Sequence, residues 1–303
     1  MQTEEIEMEK SLGTNNKKFL GIILLTIVSF LFYSNIFGAD VDRLGVIHEK
    51  TFKVKVGQTL ELYASMGDVK ISTWDKDELY VKVLGSSKVE KKFEFTFEET
   101  SYGVKIEAKR EGGGWFNFNW FSSGSDLMFE ISLPKNFEVK AKTSGGDMRV
   151  RDLTGEVDLN TSGGDIDLLN YKGDGQLHTS GGDIKCENSG GNLEVSTSGG
   201  EINLKSTNGK IDAGTSGGDI ILDYSGNNEG VELHTSGGDI RVYVPKDFKA
   251  NVYCKTSGGD VDVYFDKQRS EKVKSNRYEG DFNGGGNRLE CTTSGGDIVI
   301  KEK

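Results

Sequence analysis

Residues 161–178 read TSGGDIDLLNYKGDGQLH, and Thr179 opens the same phrase again. Thr-Ser-Gly-Gly followed by Asp or Glu occurs eight times, starting at Thr143, Thr161, Thr179, Thr197, Thr215, Thr235, Thr256 and Thr293. The first four intervals are 18 residues, the next two 20 and 21, and the last 37. A looser glycine turn falls near each half-period, at Gly155, Gly173, Gly191, Gly209 and Gly226. Each period therefore holds two short strands and two turns. Self-similarity at this spacing is the mark of a repeat architecture.

Within a period the apolar side chains recur two apart, as in half-buried strands. Ile166 and Leu168, Ile184 and Cys186, and Ile202 and Leu204 follow the corner. Val157 and Leu159, Leu193 and Val195, and Ile211 and Ala213 precede it, and Gly175 interrupts that second column. Period two in the strands and period 18 along the chain stack equivalent residues in rungs about 4.8 Å apart. One rung cannot bury its own apolar face; stacking does. The expected fold is all-β: a single-chain parallel β-solenoid with two-strand rungs of about 18 residues, preceded by an N-terminal hydrophobic helix.

Sixteen corner glycines are expected to be structural: Gly145-Gly146, Gly163-Gly164, Gly181-Gly182, Gly199-Gly200, Gly217-Gly218, Gly237-Gly238, Gly258-Gly259 and Gly295-Gly296. Positive φ is the expected reason, since glycine adopts it without steric cost. Upstream, 65–71 resembles a degenerate first corner, and 93–97 with 104–108 reads as an antiparallel hairpin. Leu133-Pro134-Lys135-Asn136-Phe137 before Thr143 echoes Val244-Pro245-Lys246-Asp247-Phe248 before Thr256. The last corner, at 293–297, is expected to form the terminal rung, with the charged insertion at 267–287 shielding its open end as a solvated cover.

The 303 residues include 41 glycines and two prolines, and 35% are hydrophobic. That content supports a core, so the glycine reflects turns rather than disorder. A net charge of −11 argues against a nucleic-acid partner, which needs a basic face. Residues 19–33 are apolar and follow Lys17 and Lys18, as in an export signal. The expected organisation is a cytoplasmic leader at 1–18, a signal peptide or signal anchor at 19–39, an irregular β region at 40–142 and the regular repeat at 143–303. Cleavage and retention in the membrane are both consistent with the segment. Either places the β region outside the inner membrane, anchored there or in the periplasm or at the cell surface.

These features resemble the bacterial Toastrack family, adhesin-type β-strand-repeat domains of unknown function. The resemblance covers roughly 46–301 and rests on Gly-Asp-Val-Lys-Ile-Ser-Thr-Trp at 67–74, the two Pro-Lys-Asn/Asp-Phe turns and the repeated Thr-Ser-Gly-Gly-Asp-Ile. It implies an envelope protein concerned with surface attachment or envelope stress, and it carries over no catalytic residues.

Several constellations invite chemistry. The corner acids Asp147, Asp165, Asp183, Glu201, Asp219, Asp239, Asp260 and Asp297 form a column in which neighbours repel by about 0.9 kcal/mol in water. Backbone N–H groups can satisfy such acids; a calcium ladder is the bolder reading, though the spacing is not the nonapeptide of calcium β-rolls. Paired carboxylates would also suit a carbohydrate-active β-helix enzyme, but the tight turns leave little room for a cleft. His178 and His234 share a rung position three rungs apart, about 14 Å, too far for one metal. Cys186, Cys254 and Cys291 lack metal-ligand spacing; Cys254 and Cys291 are expected as neighbouring buried thiols. No cofactor or metal is expected, and the leading expectation is a non-catalytic envelope binding or scaffold protein. Trp115, Phe116, Phe118, Trp120 and Phe121 form the candidate contact for an envelope protein or glycan.

Overall fold

The computed structural model describes residues 44–110 and 127–303. The expected N-terminal helix and the aromatic segment at 115–121 lie outside them. Strand is the dominant element of the described residues, and one short helix, Ser87–Glu90, interrupts the pattern. Among the described residues no helix is long and apolar enough to cross a membrane.

Two sheets of 12 and 13 strands face each other, and each rung gives one strand to both. The inward columns pair in register, Ile166 with Ile184 and Leu168 with Cys186 in the first sheet, and Val157 with Gly175 and Leu159 with Leu177 in the second. All the apolar members of these pairs are buried. The core is thus a stack of like side chains sealed between parallel ladders, as the two periods require.

The Gly175 gap has a cause. A Cβ there would sit 3.0 Å from Leu193 Cδ2 and 3.2 Å from Val157 Cγ2. Tyr171, fully buried, reaches the same region and donates its hydroxyl to the Gly155 and Asp174 carbonyls at 2.8 and 2.7 Å. Tyr224 repeats the arrangement on the Gly209 and Asn227 carbonyls.

The paired glycines do not carry positive φ. None of the sixteen corner glycines has a left-handed backbone; that conformation falls on Gly155, Gly173, Gly191, Gly226 and Gly230 in the second corner. The pairs are needed for close approach, severe at every second member and slight at the first, where Gly258 and Gly295 alone would bring a Cβ within 3.2 Å of a carbonyl oxygen. A Cβ on Gly164 would lie 2.1 Å from the Gly146 carbonyl oxygen, whereas one on Gly163 meets nothing nearer than 3.9 Å.

Sequence order and stacking order also part company at both ends. Ile298–Glu302 does not end the first sheet; it lies between Ile240–Val244 and Val261–Tyr264. Arg288–Thr292 lies likewise between Val231–Thr235 and Ala250–Lys255 in the second. At the other end the rung made by Thr59–Ala64 and Asp68–Trp74 sits between the 138–151 rung and the strands Gly103–Arg110 and Leu127–Pro134. The two Pro-Lys-Asn/Asp-Phe turns are the connections that step over these inserted rungs. Phe137 and Phe248 bury at each step, and the Asn283 amide donates to the Lys246 and Phe248 carbonyls across the second.

Antiparallel strands finish both ends. Gly45–Lys53 pairs with Glu78–Gly85, and Phe93–Thr100 with Gly103–Arg110. The insertion folds as a hairpin, Gln268–Lys274 and Arg277–Phe282, whose second strand pairs with Ala250–Lys255. It is not purely a charged cover: Tyr278 and Phe282 are buried, and Phe282 stacks on Phe265 with ring centroids 4.1 Å apart. The apolar interior would otherwise open to water here, so the hairpin supplies an aromatic lid with charge on its outer face.

Candidate functional site

The corner column was the densest array of chemically able groups in the sequence, and its geometry is explicit. Asp147 Oδ1 accepts the backbone N–H of Asp165 at 3.0 Å, Asp165 Oδ1 that of Asp183 at 2.8 Å, and Asp183 Oδ1 that of Glu201 at 2.7 Å. Asp68, Asp219, Asp239 and Asp297 do the same for Asp147, Asp239, Asp297 and Asp260. The carboxylates staple one rung to the next. Glu201 is one carbon longer and accepts instead from the Asn203 amide at 3.5 Å.

Two arginines relieve repulsion along this column. Arg149 reaches Asp147 and Asp167 at 3.5 and 3.0 Å. Arg241 reaches Asp219 and Asp239 at 3.0 and 2.7 Å, and its hydrogen bond to Asp219 raises its own pKa. Both sites are partly exposed, so each pair contributes about 0–1 kcal/mol.

Beneath the acids lies a second ladder. The Thr161, Thr179 and Thr197 hydroxyls donate to the Gly146, Gly164 and Gly182 carbonyls at 3.0, 2.9 and 2.9 Å. The same hydroxyl accepts the N–H of its own Gly182 or Gly200 at 3.3 Å. These threonines are buried, which explains their parity with the apolar columns. At the corner the threonine hydroxyls, the second-glycine carbonyls and most of the acid side chains thus bond from one rung to the next.

The opposite corner holds a ladder that residue type alone did not reveal. Asp152, Asn170 and Asn188 all take left-handed φ, between 53° and 60°. The Asn170 amide donates to Asp152 Oδ1 at 2.8 Å, and the Asn188 amide to Asn170 Oδ1 at 3.0 Å. Short polar side chains tolerate this backbone because they bond locally. Their 18-residue spacing was the available signal.

The remaining candidates separate. His178 pairs with Ser196 and His234 with Thr292, three strands apart. Cys254 and Cys291 are register partners and free thiols. Their mutual hydrogen bond and then burial push the Cys291 pKa up, while burial pushes Cys186 to about 12. Such thiols are poor nucleophiles. Among the described residues no three His, Cys, Asp or Glu side chains are placed to share a metal ion. An open depression lined by Lys53, Lys76, Asp77 and Glu78 brings together charges but no nucleophile and base.

Residues 58–301 match the family described as Toastrack DUF4097. Among solved structures, a candidate adhesin from Bacteroides fragilis aligns with TM-score 0.48 and 13% identity over 86% of this chain and 97% of that one. A candidate lipid-binding protein from Parabacteroides distasonis aligns with TM-score 0.45 and 16% identity over 84% and 96%. A candidate cell adhesion protein from Clostridium sporogenes gives TM-score 0.26 and 19% identity over 84% and 99%. No curated protein matches the chain.

Proposed function

The chain belongs to the Toastrack DUF4097 family, and we propose that it acts as a non-catalytic, adhesin-like binding or scaffold module of the cell envelope, exported across the inner membrane. The observation that carries this reading is the commitment of the corner column to structure. A carboxylate whose Oδ1 already accepts the next rung's N–H is pinned along the corner, which suits a strut better than a member of an acid/base pair. The proposal assigns partner contact to the aromatic segment containing Trp115, Phe116, Phe118, Trp120 and Phe121, facing an envelope protein or glycan.

The test uses the full-length chain and the variant W115S/F118S/W120S. Both are assayed for binding to whole cells and to isolated wall polysaccharide, and for release of reducing sugar ends. The reading expects binding by the parent, its loss in the variant at unchanged melting temperature, and no release of sugar ends. Sugar release by the parent that disappears in D165N/D183N would establish the rival reading, a carbohydrate-active β-helix enzyme using the corner acids.

A further inference from the structure

Among the described residues both sheets finish in strands paired on one side only. At one end these are Gly45–Lys53 in the first sheet and Phe93–Thr100 in the second; at the other they are Val261–Tyr264 and Gln268–Lys274. An edge of this kind offers a row of backbone donors and acceptors to another strand.

The four edges carry opposite charge at opposite ends. In the second sheet, Phe93–Thr100 holds Glu94, Glu98 and Glu99 with no cation, while Gln268–Lys274 holds Arg269, Lys272 and Lys274 against Glu271. In the first sheet the signs reverse. Gly45–Lys53 holds Lys50 and Lys53 against Glu49, and Val261–Tyr264 holds Asp262, flanked by Asp260 and Asp266. Stacking one end on the other pairs the second-sheet edges directly, while the first sheet, one strand shorter, leaves its oppositely charged edges facing each other across about 10 Å, two inter-strand spacings.

Strand direction agrees. Phe93–Thr100 runs against Gly103–Arg110, which runs with the stack. Gln268–Lys274 is antiparallel to Arg277–Phe282, itself antiparallel to Ala250–Lys255, so it too runs with the stack. A second copy in the same orientation therefore meets this edge antiparallel. The bulge between Ser270 and Lys272 fixes the phase: with Arg269 opposite Glu98, Val273 falls opposite Phe95 and Lys274 opposite Glu94. Val273 is 63% exposed, and Phe95 is half-buried, so that central pair would remove apolar surface from water.

We propose that copies of this chain associate head to tail through these edges, the Gln268–Lys274 end of one copy on the Phe93–Thr100 end of the next. Charged edges ordinarily discourage pairing. Here the charge selects: like ends set Glu against Glu or Arg against Lys, which is unfavourable across strands, while unlike ends set opposite charges together. A contact between two different surfaces of one molecule does not close on itself, so the assembly extends along the stack.

The test is cross-linking with a short bis-maleimide on the full-length chain in detergent micelles. The buried native cysteines stay silent there. The E98C/R269C variant should give a ladder of dimers, trimers and longer species, while E98C alone and R269C alone stay monomeric. Adding E94K should reduce the ladder at least about tenfold, the equivalent of 1.4 kcal/mol, and adding K274E to that variant should restore it. A double-cysteine variant that stays monomeric overturns the proposal. So does dimerisation of either single-cysteine variant as efficient as that of the pair, which would mean like ends meet.

Discussion

Gly164 and the Gly146 carbonyl approach so closely that a Cβ on Gly164 would stand 2.1 Å from that oxygen. The same approach recurs along the corner, Gly182 on Gly164 and Gly200 on Gly182. A stack built on this contact can accept no side chain at the second glycine of any pair.

The two glycines of a pair should therefore respond differently. Gly164→Ala is expected to lower stability by about 1–3 kcal/mol or more, as overpacking does. Gly163→Ala, with 3.9 Å of clearance, is expected to change it by less than about 0.5 kcal/mol. Thermal melts of the two variants decide; equal losses would return the pair to a shared conformational role.

At Asp183, acceptor and charge can be separated. Asp183→Asn keeps the oxygen that accepts the Glu201 N–H and removes a negative charge from the column, so its melting temperature should equal or exceed the parent's. Asp183→Ala removes the acceptor and should cost about 0.5–1.5 kcal/mol. A destabilised Asn variant would show that the charge itself is required, as a bound cation would demand.

The buried acids of the core make the fold sensitive to alkali. Cys186 has its pKa raised from 9.0 to about 12 by burial, and burial also raises Tyr171 and Tyr278. Between the unfolded and folded pKa values the folded state binds more protons than the unfolded one, so stability falls as pH rises. The contribution of Cys186 is complete below about pH 9 and is lost through about pH 12. Denaturant midpoints from pH 8 to 11 should decline, and Cys186→Ala should flatten part of that slope; an identical slope would remove Cys186 from the account.

Cys254 and Cys291 should resist alkylation in the folded protein and react once it is denatured, with no reductant needed. Parallel neighbours direct their Cβ atoms alike, which suits two packed thiols better than a bridge. Mass spectrometry after alkylation checks this, and a 254–291 linked peptide would overturn it.

Removing the hydroxyl in Tyr171→Phe leaves the Gly155 and Asp174 carbonyls without that donor. The expected cost is about 1–3 kcal/mol by chemical denaturation. A neutral result would mean that water replaces it.

Much of this architecture was legible because it repeats. Ile166 and Ile184 announce a ladder by spacing alone, and Leu168 and Cys186 confirm its phase. The reason for the paired glycines was not legible, since a glycine reads alike whether it serves positive φ or a close backbone neighbour. Nor was the stacking order: nothing in Arg288–Thr292 states that it pairs with Val231–Thr235 as well as with Ala250–Lys255. The Pro-Lys-Asn/Asp-Phe echo marked where the order changes, but a turn motif does not name the strand it spans. Asn170 and Asn188, ordinary turn residues by type, carried only their 18-residue spacing as a sign of the ladder they form. The aromatic segment at 115–121 was legible as composition and lies outside the described residues.

The turns that step over a rung alter how the stack can fray. In a simple linear array the outermost repeat loosens alone, and hydrogen exchange deepens inward one repeat at a time. Here Ala250–Lys255 and Val261–Tyr264 are held by sequence to Ile240–Val244 and by pairing to the rung inserted between them. Loosening the inserted rung breaks ladders on both of its faces. Amide protection at this end should accordingly be lost in a block of two rungs with one opening free energy, making the last unit of the stack a clasp rather than a loose page.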